Sequence, residues 1–150
     1  MATKVQRFEN GTLTPKDKLE ILVKTKEVLG RGGKNWIKGI WFGKKLGDNF
    51  EAGTMHGYED VADAGTAKTV AAKADCFCLE GAIEYAAYKL GYTDRLVQDD
   101  RAARKCSLAG LIEKETKHSV NGFNDQSTTK WGDIKKRLDK RIKQVLKEIG

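Results

Sequence analysis

Asp75-Cys-Phe-Cys-Leu-Glu-Gly-Ala-Ile-Glu-Tyr-Ala-Ala-Tyr-Lys-Leu-Gly91 carries the clearest helical signal in the chain. Its apolar side chains recur every three or four residues, which places them on one face of an α-helix. They are Leu79, Ala82, Ile83, Ala86, Ala87 and Leu90. Asp75 can cap the first free amides, and Gly91 can adopt the left-handed conformation that ends a helix. The stretch therefore predicts a central helix over 76–90 around which the other elements pack.

The segment before this helix predicts one more helix and a small β-hairpin. Thr14-Pro15-Lys-Asp17 favours a helix over 15–29, because threonine can cap its amides, proline needs no hydrogen bond there and aspartate is stabilised by the helix dipole. Aromatic and β-branched residues among many glycines favour a hairpin near 36–55. Residues 56–73 read as a loop with one helical turn around 67–72. We expect a mainly α fold (α+β) of four or five helices.

The second half of the chain is expected to be helical apart from one loop. A short helical piece is predicted over 92–97, a longer helix over 99–117, and a loop over 118–127 because of its turn residues. The last helix is predicted to begin at Thr128 or Thr129. Its apolar residues follow a regular spacing of three and four. They are Trp131, Ile134, Leu138, Ile142, Val145 and Ile149, with the stem of Arg141.

Length and composition set the class of protein. The 150 residues fit one domain, which we place at 14–150, with a loosely held polar segment at 1–13. A hydrophobic fraction of 39% and a charged fraction of 33% indicate a soluble protein with a modest core. No apolar run is long enough for a transmembrane helix, and the first residues lack a secretory signal. We therefore expect a cytoplasmic protein, in the host cytoplasm if it is phage-encoded.

The net charge of +7 is concentrated at one end of the chain. Residues 128–150 contain eight basic side chains and only three acidic ones. Such a helix favours an acidic protein or a nucleic acid as partner, although most charged faces of this kind are simply solvated. The candidate contact residues on it are Lys135, Lys136, Arg137, Lys140, Arg141 and Lys143.

A second candidate contact surface is the aromatic and basic segment at the predicted hairpin. Trp36, Trp41 and Lys38 are its candidate contact residues. Exposed aromatic rings beside lysines can stack bases and bind phosphates, which would suit single-stranded nucleic acid. The alternative is that these rings fill the space between the hairpin and the helices.

The cysteines offer a candidate catalytic site. Cys76 and Cys78 lie at the start of the predicted central helix, where the dipole and free amides stabilise a thiolate. The chain order Cys78, His118, Asn124 follows the nucleophile, base and orienting residue of papain-like hydrolases. The alternative is that the thiols pack as small apolar groups and that Asn124 and Asp125 are loop and cap residues. No metal site and no cofactor are expected, because three cysteines and two histidines are too few and too scattered.

These motifs resemble a small domain family of unknown function found in actinobacteria and phages. Its members combine a leading helix, a tryptophan-containing hairpin, a Cys-Leu-x-Gly-Ala helix and an Asn-Asp pair before a final helix. The matching residues are Trp36 with Gly39, Cys78-Leu79-Glu80-Gly81-Ala82, Asn124-Asp125 and residues 134–142. The resemblance extends over roughly 15–146, and the chain departs from it at Phe77, where the family commonly has tryptophan. It implies a compact, mainly helical domain and a phage origin, and it implies no reaction.

The leading functional hypothesis is a small non-enzymatic accessory or interaction protein. Its basic last helix, its aromatic hairpin, or both would contact an acidic or phosphate-rich partner. The first alternative is a nucleic-acid-binding protein. The second alternative is a small cysteine-dependent hydrolase or transferase.

Overall fold

The computed structural model describes residues 1–61, 65–66, 70–96, 101–108 and 120–150. Its helices are α1 (Lys4–Asn10), α2 (Pro15–Leu29), α3 (Leu79–Lys89), α4 (Arg101–Lys105), α5 (Val120–Asp125) and α6 (Trp131–Ile149). Its strands are β1 (Phe42–Lys45), β2 (Tyr58–Asp60), β3 (Gly65–Thr66), β4 (Cys76–Phe77) and β5 (Arg95–Leu96). The predicted mainly α fold with a small β-sheet is confirmed.

Helix α3 lies at the centre of the packing. It contacts α2, α4 and α5, and α2 also packs along α6. The start of α6 lies at the end of α2, since the Trp131 ring packs against Gly33. The buried side chains of these helices belong to one hydrophobic cluster, which places the core between α2, α3 and α6.

Helix α2 has the predicted bounds and the predicted start. The Thr14 hydroxyl accepts a hydrogen bond from the Asp17 amide (3.1 Å), and the Asp17 carboxylate accepts one from the Thr14 amide (2.9 Å). The same carboxylate binds the Arg7 guanidinium through two hydrogen bonds of 2.7 and 2.9 Å. Arg7 lies on α1, whose Phe8 is buried. The segment 1–13, expected to be loosely held, therefore contains a helix that is fixed to α2.

Helix α3 begins at Leu79, so the prediction that residues 76–78 belong to it was wrong. Cys76 and Phe77 instead form β4, which pairs antiparallel with β1. The Phe77 amide donates to the Asn35 carbonyl (2.8 Å), and its carbonyl accepts from the Ile37 amide (2.9 Å). Asp75 does not cap the helix, because its carboxylate accepts a hydrogen bond from the Lys45 amide (2.8 Å). Long-range partners thus hold this backbone in an extended conformation.

The β-sheet differs from the predicted hairpin at 36–55. Strand β1 pairs antiparallel with both β2 and β4, in the order β2-β1-β4, and the second strand of the hairpin is 58–60. Residues 46–57 connect the strands and contain a 3₁₀ turn at Gly47–Asn49. The expected strand at 50–55 is absent because Gly53 packs on the Trp36 ring and donates its amide hydrogen to the Trp36 carbonyl (2.6 Å).

Two predictions for the described part of residues 92–127 were wrong. Arg95 and Leu96 form a strand paired with β3 instead of a helical piece, and the Arg95 amide donates to the Thr93 hydroxyl (3.1 Å). Helix α5 occupies part of the predicted loop. Its buried Val120, Phe123 and Asn124 are spaced by three and four, a helical pattern that the turn residues around them obscured.

Other predicted boundaries were close to the structure. Helix α4 lies inside the predicted helix 99–117, of which residues 99–100 and 109–117 are outside the described ranges. From residue 70 onward the helical turn expected around 67–72 corresponds to a 3₁₀ turn at Val70–Lys73, and residues 67–69 lie outside the described ranges. The last helix begins at Trp131, because the Thr129 hydroxyl donates to the Phe123 carbonyl (2.8 Å) instead of capping the helix.

Candidate functional site

The two cysteines of the candidate catalytic site are buried. Cys76 has no exposed surface and Cys78 is 1% exposed. Burial raises the pKa of Cys76 to about 12, and the neighbouring Asp75 carboxylate adds to this increase. Burial also raises the pKa of Cys78, although its sulfur accepts a hydrogen bond from the Gly81 amide (3.4 Å) at the start of α3. Both shifts favour the protonated thiol near neutral pH and so disfavour either cysteine as a nucleophile.

His118, the predicted base of that site, lies outside the described residues. The predicted orienting residue, Asn124, is fully buried on α5. Its Oδ1 atom accepts hydrogen bonds from the Trp36 indole Nε1 (2.7 Å) and the Leu79 amide (3.0 Å). Its Nδ2 atom donates to the Ile37 carbonyl (3.1 Å) and to Asp125 Oδ1 (2.9 Å). Both acceptor positions and both donors of the amide are occupied, so Asn124 links three segments of the fold.

The hydrogen bonds around Asn124 extend along the segment before β1. Asp125 Oδ1 also accepts a hydrogen bond from the Gly39 amide (2.8 Å). The Lys38 ammonium donates to the Gln126 carbonyl (2.7 Å) and lies 5.6 Å from the centre of the Trp36 ring. The Lys38 charge is therefore directed at the protein itself.

The aromatic surface expected at Trp36 and Trp41 is mostly buried. Trp36 is 3% exposed, and its ring lies 6.3 Å from the Trp131 ring at an angle of 47°. Trp41 is half-buried, and its carbonyl lies where a side chain at Gly81 would otherwise be. These rings fill the space between the strand segments and the helices, which agrees with the alternative interpretation of the sequence.

A cavity of about 330 Å³ lies at the start of α6, between the two tryptophans. Its lining includes Lys38 and Thr129, whose side chains already donate to backbone carbonyls. The polar groups of this cavity thus serve the local structure.

At least four of the six basic residues predicted on the last helix interact with other groups of the protein, and Lys140 is one of them. Arg141 is only 8% exposed and donates to Gln144 Oε1 (3.1 Å), so its stem lies on the buried side of the helix. Arg137 is half-buried, with its guanidinium 5.8 Å from the centre of the Phe123 ring. Lys135 forms a hydrogen bond of 2.6 Å with Asp139.

Three of the predicted lysines form a continuous row together with one residue that was not among the predicted contacts. We call this row the lysine stripe; it consists of Lys136, Lys140, Lys143 and Lys147, all of them exposed. Steps of four, three and four residues keep the stripe within about 60° of the helix circumference, since each residue turns the helix by about 100°. The buried Ile134, Leu138 and Val145 lie on the opposite side. This helical spacing in the sequence was the signal that would have included Lys147.

The acidic residues of α6 are directed away from the lysine stripe. The Asp133 carboxylate accepts a hydrogen bond from the Lys130 amide (2.9 Å) at the helix start. Asp139 binds Lys26 and Lys135; burial alone would raise the pKa of its carboxyl, but these two hydrogen bonds outweigh burial and lower it. Glu148 lies 3.8 Å from Arg141. Each acid of this helix therefore has a partner outside the lysine stripe.

Two further features are absent from the described ranges. No group of three His, Cys, Asp or Glu side chains there is arranged to hold a metal ion. None of the helices in these ranges combines the length and apolar character needed to cross a membrane.

A family model described as a family of unknown function (DUF6197) matches residues 13–144. The match begins just before α2 and ends within α6, so it includes the central helix and Asn124. Its extent is close to the 15–146 indicated by the sequence motifs, and its description gives no source organism. No curated protein and no solved structure matches the chain.

Proposed function

The chain belongs to this family of unknown function, DUF6197, and on that premise we propose that it is a small non-enzymatic accessory or interaction protein. Its contact surface is the lysine stripe of α6, and its partner is acidic or phosphate-rich. The observation that supports this proposal is the row of four exposed lysines opposite the buried face of one helix.

The geometry of α6 suits a binding role because one side of the helix is buried in the core and the other side is exposed. Ile134, Leu138 and Val145 hold the helix in the core, so the backbone under the stripe is fixed before any partner arrives. A preorganised surface loses less conformational entropy on binding than a mobile one. The stripe also presents four of the 28 basic side chains of the chain in one row.

The described residues give less support to the other sequence-based surfaces. The buried, protonated thiols of Cys76 and Cys78 weigh against a cysteine-dependent enzyme. The burial of Trp36 weighs against base stacking on the hairpin. A phage or actinobacterial source and a cytoplasmic location stay predictions from the sequence alone.

Binding to defined polyanions tests the proposal. At low salt, the protein is titrated into a labelled poly-glutamate peptide and a labelled nucleic-acid oligomer, and binding is followed by fluorescence anisotropy. We expect at least one of the two to bind, with affinity that falls as salt is added. Substituting all four stripe lysines with glutamine (K136Q, K140Q, K143Q, K147Q) should reduce that affinity by at least about tenfold, because each lost contact removes an ionic interaction.

A matched variant separates the stripe from net charge. It carries four Lys→Gln substitutions at exposed lysines outside α6, so its net charge equals that of the stripe variant. These positions are Lys16, Lys34, Lys73 and Lys89. The proposal requires this variant to bind within about twofold of the wild type. Equal losses in the two variants, or no binding by the wild type, would contradict it.

A further inference from the structure

We infer that the outer face of α2 binds a second copy of this chain, so that the protein forms a weak antiparallel dimer. The dimer does not depend on the lysine stripe, which lies on a different helix. The face, which we call the α2 patch, consists of six residues that line a shallow groove of about 500 Å³. They are Lys16, Leu19, Glu20, Val23, Lys24 and Glu27.

Apolar side chains line this groove and remain open to solvent. Val23 is 44% exposed, although the opposite side of its helix is buried in the core. Leu19 is half-buried, and so is Leu90, which borders the groove from the end of α3. Protein interfaces usually have a desolvated apolar centre, and these three side chains can supply one.

The residues of the α2 patch are ordered around the helix by type. Since each residue turns the helix by about 100°, the patch divides into three rows that run along the helix axis. The rows are Leu19 with Val23 on one flank, Lys16 with Glu27 in the middle, and Glu20 with Lys24 on the other flank. The two members of every row lie on either side of residues 21–22 and are equally far from that point to within one residue.

This arrangement makes the patch complementary to itself. When two α2 helices pack antiparallel about a twofold axis at residues 21–22, each row faces the same row of the second copy in reverse order. The apolar residues then meet each other, and every lysine meets a glutamate. The contacts are Leu19 with Val23, Lys16 with Glu27 and Glu20 with Lys24, and each occurs twice. In a parallel pair the charged residues of the middle row would face their own copies, which like-charge repulsion disfavours.

Ion pairs within one copy leave these charged groups able to bind a second copy. Glu20 lies 3.2 Å from Lys4, and Lys24 lies 3.2 Å from Glu27. The side chains of Glu20 and Glu27 are 42% and 64% exposed, and a carboxylate accepts more than one hydrogen bond. Among the described residues no acid forms an ion pair with Lys16, so this lysine would gain Glu27 of the second copy.

The charge of the patch also favours contact between two copies. The chain has a net charge of +7, so two copies repel each other over most of their surfaces. The α2 patch holds two lysines and two glutamates and is therefore neutral. Its six residues are far fewer than the roughly 20–30 per side of a stable interface, so we expect a dissociation constant on the order of 100 µM to 1 mM.

Sedimentation equilibrium of the full chain, from about 10 µM to about 1 mM, tests the dimer. The average mass of the wild type should rise with concentration toward that of a dimer. Lys16→Glu and Glu27→Lys should each weaken association by at least about tenfold, because each places like charges in both middle contacts. The double variant K16E/E27K should return to within about threefold of the wild type, because it reverses both members of the pair.

A matched variant separates this pairing from net charge. Lys34→Glu makes the same change of charge at an exposed lysine outside the patch and should not weaken association. Circular dichroism and thermal unfolding check that every variant is folded.

A zero-length cross-link detects the contact directly. A carbodiimide condenses a lysine amine with a carboxyl group to an amide and takes up the released water as a urea, so the two groups must touch. Lys16 and Glu27 are eleven residues apart, or about 16 Å along one helix, so an amide between them forms only between two copies. Mass spectrometry of the wild type at about 1 mM should find this cross-linked peptide.

Four outcomes overturn the inference. A wild type that stays monomeric at about 1 mM leaves the patch to solvent or to a different protein. Equal weakening by Lys16→Glu and Lys34→Glu places self-association elsewhere on the surface. A double variant that stays monomeric, or an associating wild type without the cross-link from Lys16 to Glu27, excludes the antiparallel pairing.

Discussion

The Oδ1 atom of Asn124 accepts a hydrogen bond of 2.7 Å from the indole Nε1 of Trp36, across 88 residues of sequence. The same oxygen accepts from the Leu79 amide, and neither donor has access to solvent. A buried donor that loses its partner costs about 1–3 kcal/mol. We therefore expect Asn124→Ala to lower the free energy of unfolding by about 3 kcal/mol, measured by urea denaturation.

An exposed asparagine provides the control for this substitution. Asn10 lies at the end of α1 on the surface, and Asn10→Ala should change the free energy of unfolding by less than about 0.5 kcal/mol. A change of similar size in the two variants would show that the hydrogen bonds of Asn124 contribute little to stability.

Two helical glycines should respond in opposite ways to alanine. A Cβ atom at Gly81 of α3 would collide with the backbone carbonyl of Trp41, and neither backbone can yield without disturbing the sheet. We expect Gly81→Ala to destabilise the protein by about 3 kcal/mol or more, as overpacking in a core does.

Gly132 of α6 has open space around its Cβ position. Gly132→Ala should stabilise the protein by up to about 1 kcal/mol, because alanine favours a helix. Urea denaturation measures both, and a stabilised Gly81→Ala variant would contradict the described contact.

The Arg7–Asp17 pair should make stability depend on acid pH. The hydrogen bonds from Arg7 lower the pKa of the Asp17 carboxyl despite its burial, and the Thr14 amide and the Tyr92 hydroxyl add to this effect. The unfolded chain has an aspartate pKa of about 3.9. Stability from this group is therefore present above about pH 4 and is lost as the pH falls toward the lower folded-state pKa.

Substitution at the pair tests this dependence. The free energy of unfolding should be lower for Asp17→Asn than for the wild type by about 2 kcal/mol at neutral pH. The difference should shrink as the pH falls below about 4, and Arg7→Gln should flatten the profile in the same way. Parallel profiles for wild type and variants, measured by urea denaturation from neutral to acid pH, would exclude this role of the pair.

The buried thiols should react slowly in the folded protein. Burial raises the pKa of Cys76 to about 12 and that of Cys106 to about 12, and it also raises the pKa of Cys78. An unperturbed thiol has a pKa of about 8.5, so the thiolate fraction at pH 8 should be about 1000-fold lower in the folded protein. Alkylation by iodoacetamide, followed by mass spectrometry, should be slower than in urea by at least that factor.

One result would restore the enzyme hypothesis. If a single thiol of the folded protein alkylates quickly near neutral pH, the position should be mapped with Cys76→Ser and Cys78→Ser. Rapid labelling that disappears in only one of these variants would identify a reactive cysteine.

The sequence predicted the elements whose signals are local. The start of α2 depends on Thr14 and Asp17, which are three residues apart, and α6 depends on an apolar spacing of three and four. Both helices have the predicted type and nearly the predicted bounds. Local capping and periodicity require no knowledge of distant contacts.

The elements that were missed depend on distant partners. The extended conformation of Cys76 and Phe77 is held by Phe42 and Gly43, more than thirty residues earlier. The amide of Asn124 reaches Leu79 and Trp36, so its role could not be distinguished from that of an ordinary loop asparagine. For the candidate surface, the sequence placed the stem of Arg141 with the apolar residues but still counted its charge among the contacts, and the structure buries this residue.

The packing of α2 along α6 also constrains when the chain can fold during its synthesis. The buried Ile21, Leu22 and Leu29 belong to a core whose other side includes Leu138 and Val145, which the ribosome adds more than a hundred residues later. Isolated helices of this length are marginal in water, so α2 depends on its contacts with α3 and α6 for stability. Until residues 124–145 have emerged, the nascent chain exposes the part of α2 that α6 covers and the unpaired indole of Trp36. The native packing of α2 thus forms only after α6 has been synthesised, and the same helix carries the lysine stripe on its exposed side.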